Sequence, residues 1–463
     1  MRSHRVVRLF TAVAALAAPV SLGAQAFGLN EIGSCAIGRG FATTASPCRD
    51  PSTIYWNSAA AASLPGWNVS LGAAVIAIKG RFKQDSTGAV FDADEPTKTI
   101  PNFFLNYHAP SSKAAWGIGV YVPYGLTSQW RPDFPGRFEA EKAALATIYV
   151  QPNFAWQLTD KWSIGGGPIW GHSTVELIQA LDLSEQGTGI PGVSFASLGI
   201  ASGTQFGIAR LKGSASAFGA QIAVNGHPTP NWNVGVRFLT PLDFKYDNAD
   251  ATFTQTPTGL VIGGTVQPPF SAGTPIDSLV APQFRTGGAL VAQKVSTHIN
   301  HPAQLQAGLS YSGYKDWLLE ADYAWVGWKQ FNVLPVNFKG SAPSRVLIED
   351  YNNSSAIRLG AEYTIPTDGW KLRAGFAGVA SAAPPETVTP LLPEQDRAYV
   401  TAGVGIPFMT RYSLDASYAH VSTPGARGRI VERTSESQTA ADLNTGVYTL
   451  SANIFSFTLR ASF

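Results

Sequence analysis

Three histidines, His172, His301 and His420, are the side chains of this sequence best suited to move a proton or hold a metal, and none has a sequence neighbour to work with. No Gly-x-Ser-x-Gly elbow and no His-Glu-x-x-His pair occurs, so neither a hydrolase nucleophile nor a zinc-protease helix is spelled out. A Ser-His pair assembled only by the fold stays open, because triads are defined by geometry and not by order. Gly165-Gly166-Gly167 lacks the Lys-Ser/Thr that follows a phosphate loop; strand glycine admitting another backbone is the simpler expectation. The two cysteines, Cys35 and Cys48, have no histidine nearby and the wrong spacing for zinc. In an oxidising compartment they are expected to form one disulfide, whose closed loop is worth roughly 3 kcal/mol in the chain-entropy model. The sequence therefore reads as no enzyme, with no cofactor and no metal.

Composition narrows the elements that could carry these residues. Lys and Arg number 33 against 31 Asp and Glu, a net charge of +2, which removes the basic excess of a nucleic-acid binder. Only 14% of residues are charged, while 46 Gly and 31 Pro exceed the usual share. Mean hydropathy is nevertheless only +0.02, and no run of roughly 18 apolar residues follows the N-terminus, which excludes a helical membrane bundle. Disorder is excluded by 12 Trp, 15 Tyr and 25 Phe. A large all-β protein remains.

Arg2, Arg5 and Arg8 precede the apolar run from Val6 to Val20, and Ala24-Gln25-Ala26 follows it. The run falls short of an anchoring helix, and the pattern is that of a secretory signal over 1–26, cut after Ala26. From Trp67 onward, segments of about ten residues alternate apolar and polar. Leu319, Ala321 and Tyr323 share one face while Glu320 and Asp322 share the other; Leu372 and Phe376 oppose Lys371 and Arg373 in the same way. A sandwich would alternate too, but the connections separate the two. Short polar turns at 111–113, 159–161, 228–231, 313–316, 367–369 and 410–411 are each followed by an aromatic: Trp116, Trp162, Trp232, Trp317, Trp370 and Tyr412. Such a girdle beside one rim, with long connections at 180–207, 247–300 and 381–396, is the asymmetry of an outer-membrane barrel. Six short turns with both termini at that rim give about fourteen antiparallel strands over 67–463. The last segment, Ile454 to Phe463, ends on an aromatic, like the signal that such barrels present to the barrel assembly machinery. Residues 27–66 are rich in small side chains and do not alternate; they are expected to plug the lumen.

At this point the residues carry a resemblance. Phe27-Gly28-Leu29-Asn30-Glu31, Gly38-Arg39-Gly40 and the run from Ser52 to Ala59 with Leu64-Pro65-Gly66 resemble the N-terminal hatch of the FadL family of outer-membrane transporters for long-chain fatty acids and other hydrophobic compounds. The run from Gly117 to Leu126 is similar to that family's third strand, Trp162 to Gly167 to its fifth, and Asp396-Arg397 opens a segment similar to its late-strand pattern. The resemblance implies a hatch closing the lumen, a hydrophobic pocket beside Phe27 and Leu29, and a lateral opening into the bilayer at a kink in the third strand. Pro123 supports the kink independently, since it has no N–H to give a ladder; a place at a loop edge is the other possibility, and Gly125 favours a bulge at Pro123-Tyr124-Gly125. Two departures stand out. The family's Asn-Pro-Ala is Asn57-Ser58-Ala59 here, without the rigid turn. Where fatty-acid members place basic residues for the carboxylate, this chain has Gln179 and Glu349, neither of which can make a charge-assisted bond to an anion. A neutral hydrophobic solute such as an aromatic hydrocarbon therefore stands open beside a free fatty acid.

Two loops support an apolar cargo. Residues 190–209 hold Phe195, Ile200 and Phe206 and no charge, and residues 260–291 hold only Asp277 and Arg285 among many apolar side chains. Such loops expose a greasy entry groove or fold over one another. The expected function is passive uptake of long-chain fatty acids or other hydrophobic small molecules across the bacterial outer membrane, with lipid as the surrounding partner. A general porin for hydrophilic solutes, which would display charged loops, and a structural or adhesin surface protein are the alternatives.

Overall fold

The computed structural model describes residues 26–184, 186–188, 190–263, 271–428 and 445–463; apart from Ala26, the expected leader lies outside them. Successive wall strands pair antiparallel, and the first, Gly66–Gln84, pairs with the last, Gly446–Ser462, from Asn68↔Ser462 to Gln84↔Gly446. That seam closes the sheet into a barrel. Among the described residues there are twenty-one strand segments. Three wall strands are broken in two and four short segments belong to the outer loops, which leaves a wall of fourteen strands.

Alternation decides which face meets lipid. In Trp317–Val326, Leu319, Ala321 and Tyr323 are exposed while Glu320, Asp322 and Ala324 are buried. The girdle residues Trp67, Trp116, Trp162, Trp232, Trp317 and Trp370 are all exposed beside the short turns. Near the other rim the sequence places a connection at 247–300, yet the seventh wall strand runs on to Gln255 and the eighth begins at Gln293. Pairing continues there from Leu242↔His301 to Ala251↔Gln293, although Asp243, Lys245 and Asp247 point outward and exposed. Above the lipid the outer face has no reason to be apolar, so the periodic signal fades while the ladder persists.

The two apolar loops fold over one another. Phe195, Ile200 and Phe206 from one and Ile262, Ile276, Val280 and Leu290 from the other form a single buried cluster. This cap sits over the outer mouth and takes most of the loops' large apolar residues into its core, while Leu260 and Val261 stay exposed.

Residues 27–65 lie inside the wall, and almost all are buried. Inward side chains from around the ring hold their backbone: Asn106 donates to the Ala61 carbonyl, Gln221 to the Ile54 carbonyl and Asn225 to the Ala45 carbonyl. Carboxylates do the same for N–H groups. Glu320 accepts from Ala45 and Ser46 and pairs with Arg39, while Asp322 accepts from Thr43 and Thr44 at 2.8 Å each. Arg358 donates to the Asn30 side chain. Lys371 and Arg373 instead pair across the wall, with Glu362 and, for Arg373, Asp415. A polar inner face is needed because a loop-rich body leaves many backbone groups without ladder partners. Cys35 and Cys48 are joined, with Cα atoms 6.2 Å apart.

Candidate functional site

The third wall strand is broken between Ala114–Tyr121 and Gly125–Gln129. Against the fourth strand, Tyr121 pairs with Tyr149 and Gly125 with Ala146, so three residues face two. This is a one-residue bulge at Pro123, and it turns the strand inward. The neighbouring second strand, Lys98–His108, feels the loss. It pairs with the first strand throughout, but with the third only from Phe103↔Val120 to His108↔Ala115. Residues 98–102 therefore present an edge without a ladder partner in the third strand. A bridge between Ala93 and Trp130 bounds this gap on the outer side.

The inner segment docks on the break. Leu29 N–H donates to the Pro123 carbonyl at 2.8 Å, Gly125 N–H donates to the Phe27 carbonyl at 2.9 Å, and Gly28 bridges Tyr124. Phe27, Leu29, Pro123, Tyr124 and Gly125, drawn from two distant parts of the sequence, thus form one unit. The Phe27 ring lies in an aromatic nest, 4.6 Å from Trp328, 5.5 Å from Phe331 and 5.7 Å from His301 between centroids. Tyr124 donates to the Pro302 carbonyl and stacks near His301 at 4.2 Å. His301 is thereby occupied as a wall of this nest, with Tyr149 hydrogen-bonded to its Nδ1.

Asn57, Ser58 and Ala59 sit elsewhere, against the fifth and sixth strands. The Asn57 amide donates to the Thr44 and Val224 carbonyls and its oxygen accepts from Ala59 N–H. Gly165 makes room for this turn: a Cβ there would lie 2.7 Å from the Ala59 backbone. The glycine run therefore serves close approach, and Asn57 supplies the turn-closing bonds that a proline would have rigidified.

Three cavities run through the outer half of the lumen. The outermost, about 290 Å³, is lined by Phe206, Leu211, Phe253, Val336 and Phe338, with Gln179 and Arg345 among them. It shares Leu177, Leu211 and Val336 with a second, wholly apolar one of about 40 Å³ that Phe27 lines. The second shares Leu126 and Leu392 with a third of about 130 Å³, lined by Gly28, Leu29 and Gly125 beside the first and last strands. The docked strand 27–29 thus partitions the second cavity from the third.

Gln179 is not alone at the outermost cavity. Arg345, from a hairpin of Val333–Phe338 and Arg345–Ile348, donates to its side-chain oxygen, and Gln179 donates on to the Phe138 carbonyl. Burial lowers the Arg345 pKa while Glu139 pulls it back up. No carboxylate lies within ion-pair distance of Arg345 among the described residues. Glu349 does not line the cavity; burial pushes it up to about 8, with Glu139 adding to the effect, and Glu139 itself is pushed up to about 7 by burial. The cations lining this cavity are Arg210 and Arg345, neither of them at position 179 or 349.

A family model described as outer membrane protein transport protein (OMPP1/FadL/TodX) matches residues 14–463. The long-chain fatty acid transport protein of Escherichia coli O6:H1 is 27% identical over 441 residues, covering 89% of this chain and 91% of its own. Outer membrane protein P1 of Haemophilus influenzae is 22% identical over 479 residues, covering 98% of each. Among solved structures, a Pseudomonas aeruginosa FadL homologue aligns with a TM-score of 0.78 at 20% identity over 95% of this chain and 100% of that one. The Pseudomonas putida toluene transporter TodX aligns at 0.66 and 16% identity over 95% and 100%. At these identities the two structures speak for the fold.

Proposed function

Because the chain belongs to the outer membrane transport protein family of OMPP1, FadL and TodX, we propose that it carries long-chain fatty acids and other hydrophobic small molecules inward across the bacterial outer membrane by passive diffusion. The observation that carries the route is the series of three abutting cavities ending beside the second strand's unpaired edge. Solute enters under the loop cap, moves to the apolar cavity beside Phe27, and leaves sideways into the bilayer when strand 27–29 lifts from Pro123 and Gly125. Residues 27–65 then act as a hatch whose moving part is its first few residues. Only two backbone hydrogen bonds pin that part to the break, each worth about 1 kcal/mol net, while burying the Phe27 ring adds roughly 2–3 kcal/mol. A bound alkyl chain filling the nest in place of Phe27 offsets the second contribution, so cargo itself favours opening.

Arg345 decides between cargo classes. A guanidinium with no carboxylate partner among the described residues, in a mostly apolar cavity that Arg210 and Asp182 also line, suits a carboxylate headgroup, and it favours a free fatty acid over a neutral hydrocarbon. The protein is read as a solute carrier rather than an enzyme, in keeping with the transporters among its relatives. The test is uptake of labelled oleate and toluene by cells with and without the protein. No difference for either sinks the proposal, and conductance of hydrophilic sugars without hydrophobic uptake returns the porin reading.

A further inference from the structure

The first wall strand changes abruptly on its outward face. Trp67, Val69, Leu71, Ala73, Val75 and Ala77 point outward, and Lys79, Arg81 and Lys83 continue the same face. At ~3.3 Å per residue and ~40° of tilt, the apolar part rises about 25 Å, the height of a barrel's lipid band. Lys79 therefore stands where hydrocarbon ends. The neighbours change at the same level. On the last strand Phe457 and Phe455 give way to Asn453, Ser451 and Thr449, with Ser451 opposite Lys79 and Thr449 opposite Arg81. On the strand before it, Tyr412–Ser422, Tyr418 gives way to His420 and Ser422. The Tyr418 hydroxyl and His420 Nδ1 both meet the Asn453 oxygen, at 2.8 and 3.0 Å.

Acidic side chains are present in this sector, Asp92 opposite Arg81 and Asp94 two residues further along the same face, but neither reaches Lys79 or Lys83 within ion-pair distance. Arg81 pairs with Asp92 at 3.1 Å, both side chains well exposed, and such a pair is readily exchanged. Lys79 and Lys83 have no ion pair among the described residues. Elsewhere on the outer face three cations are matched, Lys142 and Arg210 by Glu176 and Lys294 by Asp250, while Lys212 is not among the described residues.

We propose that Lys79, Arg81 and Lys83, with the hydroxyls of Thr449, Ser451 and Ser422, form a binding site for the phosphorylated disaccharide headgroup of an outer-leaflet glycolipid of the lipid A type. Lys79 to Lys83 spans about 13 Å, a reach that two separated phosphates use and a single glycerophosphate does not. The hydroxyls meet the sugars, and the acyl chains lie along Val75, Phe455 and Phe457 below. The site flanks the first strand, whose other neighbour carries the unpaired edge at 98–102, so the lipid it holds lies next to the proposed exit.

The test uses the purified full-length protein in detergent, titrated with diphosphorylated lipid A and separately with phosphatidylglycerol, with bound lipid read by native mass spectrometry. The wild type retains one lipid A in preference to phosphatidylglycerol. Replacing the three cations together, Lys79→Gln, Arg81→Gln and Lys83→Gln, weakens lipid A binding by roughly 100-fold, at about tenfold or less per cation, and Lys212→Gln with Lys294→Gln on the far sector leaves it unchanged. All five side chains are exposed, so the barrel still folds, as heat-modifiable gel migration verifies. Equal lipid A binding by wild type and triple variant overturns the site, and so does phosphatidylglycerol binding as tightly as lipid A.

Discussion

Arg345 and Glu349 stand four residues apart and differ in what the cavity sees of them. Arg345 reaches the outermost cavity, and its replacement by Gln should weaken oleate binding by at least tenfold while toluene binding stays unchanged; calorimetry on both ligands measures it, and an equal loss for both would reduce Arg345 to a packing role. Glu349 and Glu139 are carboxyls that burial has pushed up to about 8 and about 7 from the ordinary 4.5. The folded segments around these two carboxyls hold protons that the unfolded segments release, so their stability is greatest at low pH and falls as pH rises from about 4.5 through about 8. Hydrogen exchange over 327–353, corrected for intrinsic rates, should accelerate between pH 5 and 9, and Glu349→Gln should flatten that dependence. Little of this was legible beforehand. Gln179 carries no charge for an anion, but its partner Arg345 comes from a loop hairpin, and loops carry no periodicity by which to place a residue across the lumen.

At the scale of elements, Pro123 was legible because a missing N–H has one consequence in a ladder. The strand that docks on the break was not, since three residues, Phe27 to Leu29, are too few to show a period. Restoring an N–H with Pro123→Val should let the third strand straighten toward the second and cut oleate uptake severalfold, while surface amount and gel migration match the wild type. Uptake that stays level would mean that solute leaves by another path. Gly165→Val tests the seat of the inner segment. Its side chain meets the Ala59 backbone, so the turn at 57–59 must shift, at a cost of about 1–3 kcal/mol. A lower thermal midpoint with an intact barrel is expected. The apolar loops show the opposite limit: their composition was plain, but whether greasy loops face water or each other depends on two segments meeting, and Phe195, Ile200 and Phe206 do meet Ile262, Ile276, Val280 and Leu290.

For the molecule as a whole, low charge with near-zero hydropathy resolves into an apolar exterior, an ionic lumen and an inner segment that spends few charges of its own. Glu320 and Asp322 together satisfy four inner backbone N–H groups. Glu320→Gln with Asp322→Asn should therefore loosen residues 43–46 and give transient ion conductance in planar bilayers where the wild type is closed; silent bilayers would show that the remaining bonds suffice. The ring of contacts also fixes an order of events in assembly. Ser34 meets Ser456 and Thr458 on the last strand at 2.8 Å each, and that strand closes the wall against the first, down to Trp67 and Phe463. The seat of the folded, disulfide-linked body is complete only when the last strand arrives, so closure of the seam is the step that finishes it. Zippering of the seam then doubles as an inspection: a chain whose inner body is missing or misplaced brings the last strand home without its Ser34 partner, and the final joint is weakest in the molecules least fit to be sealed.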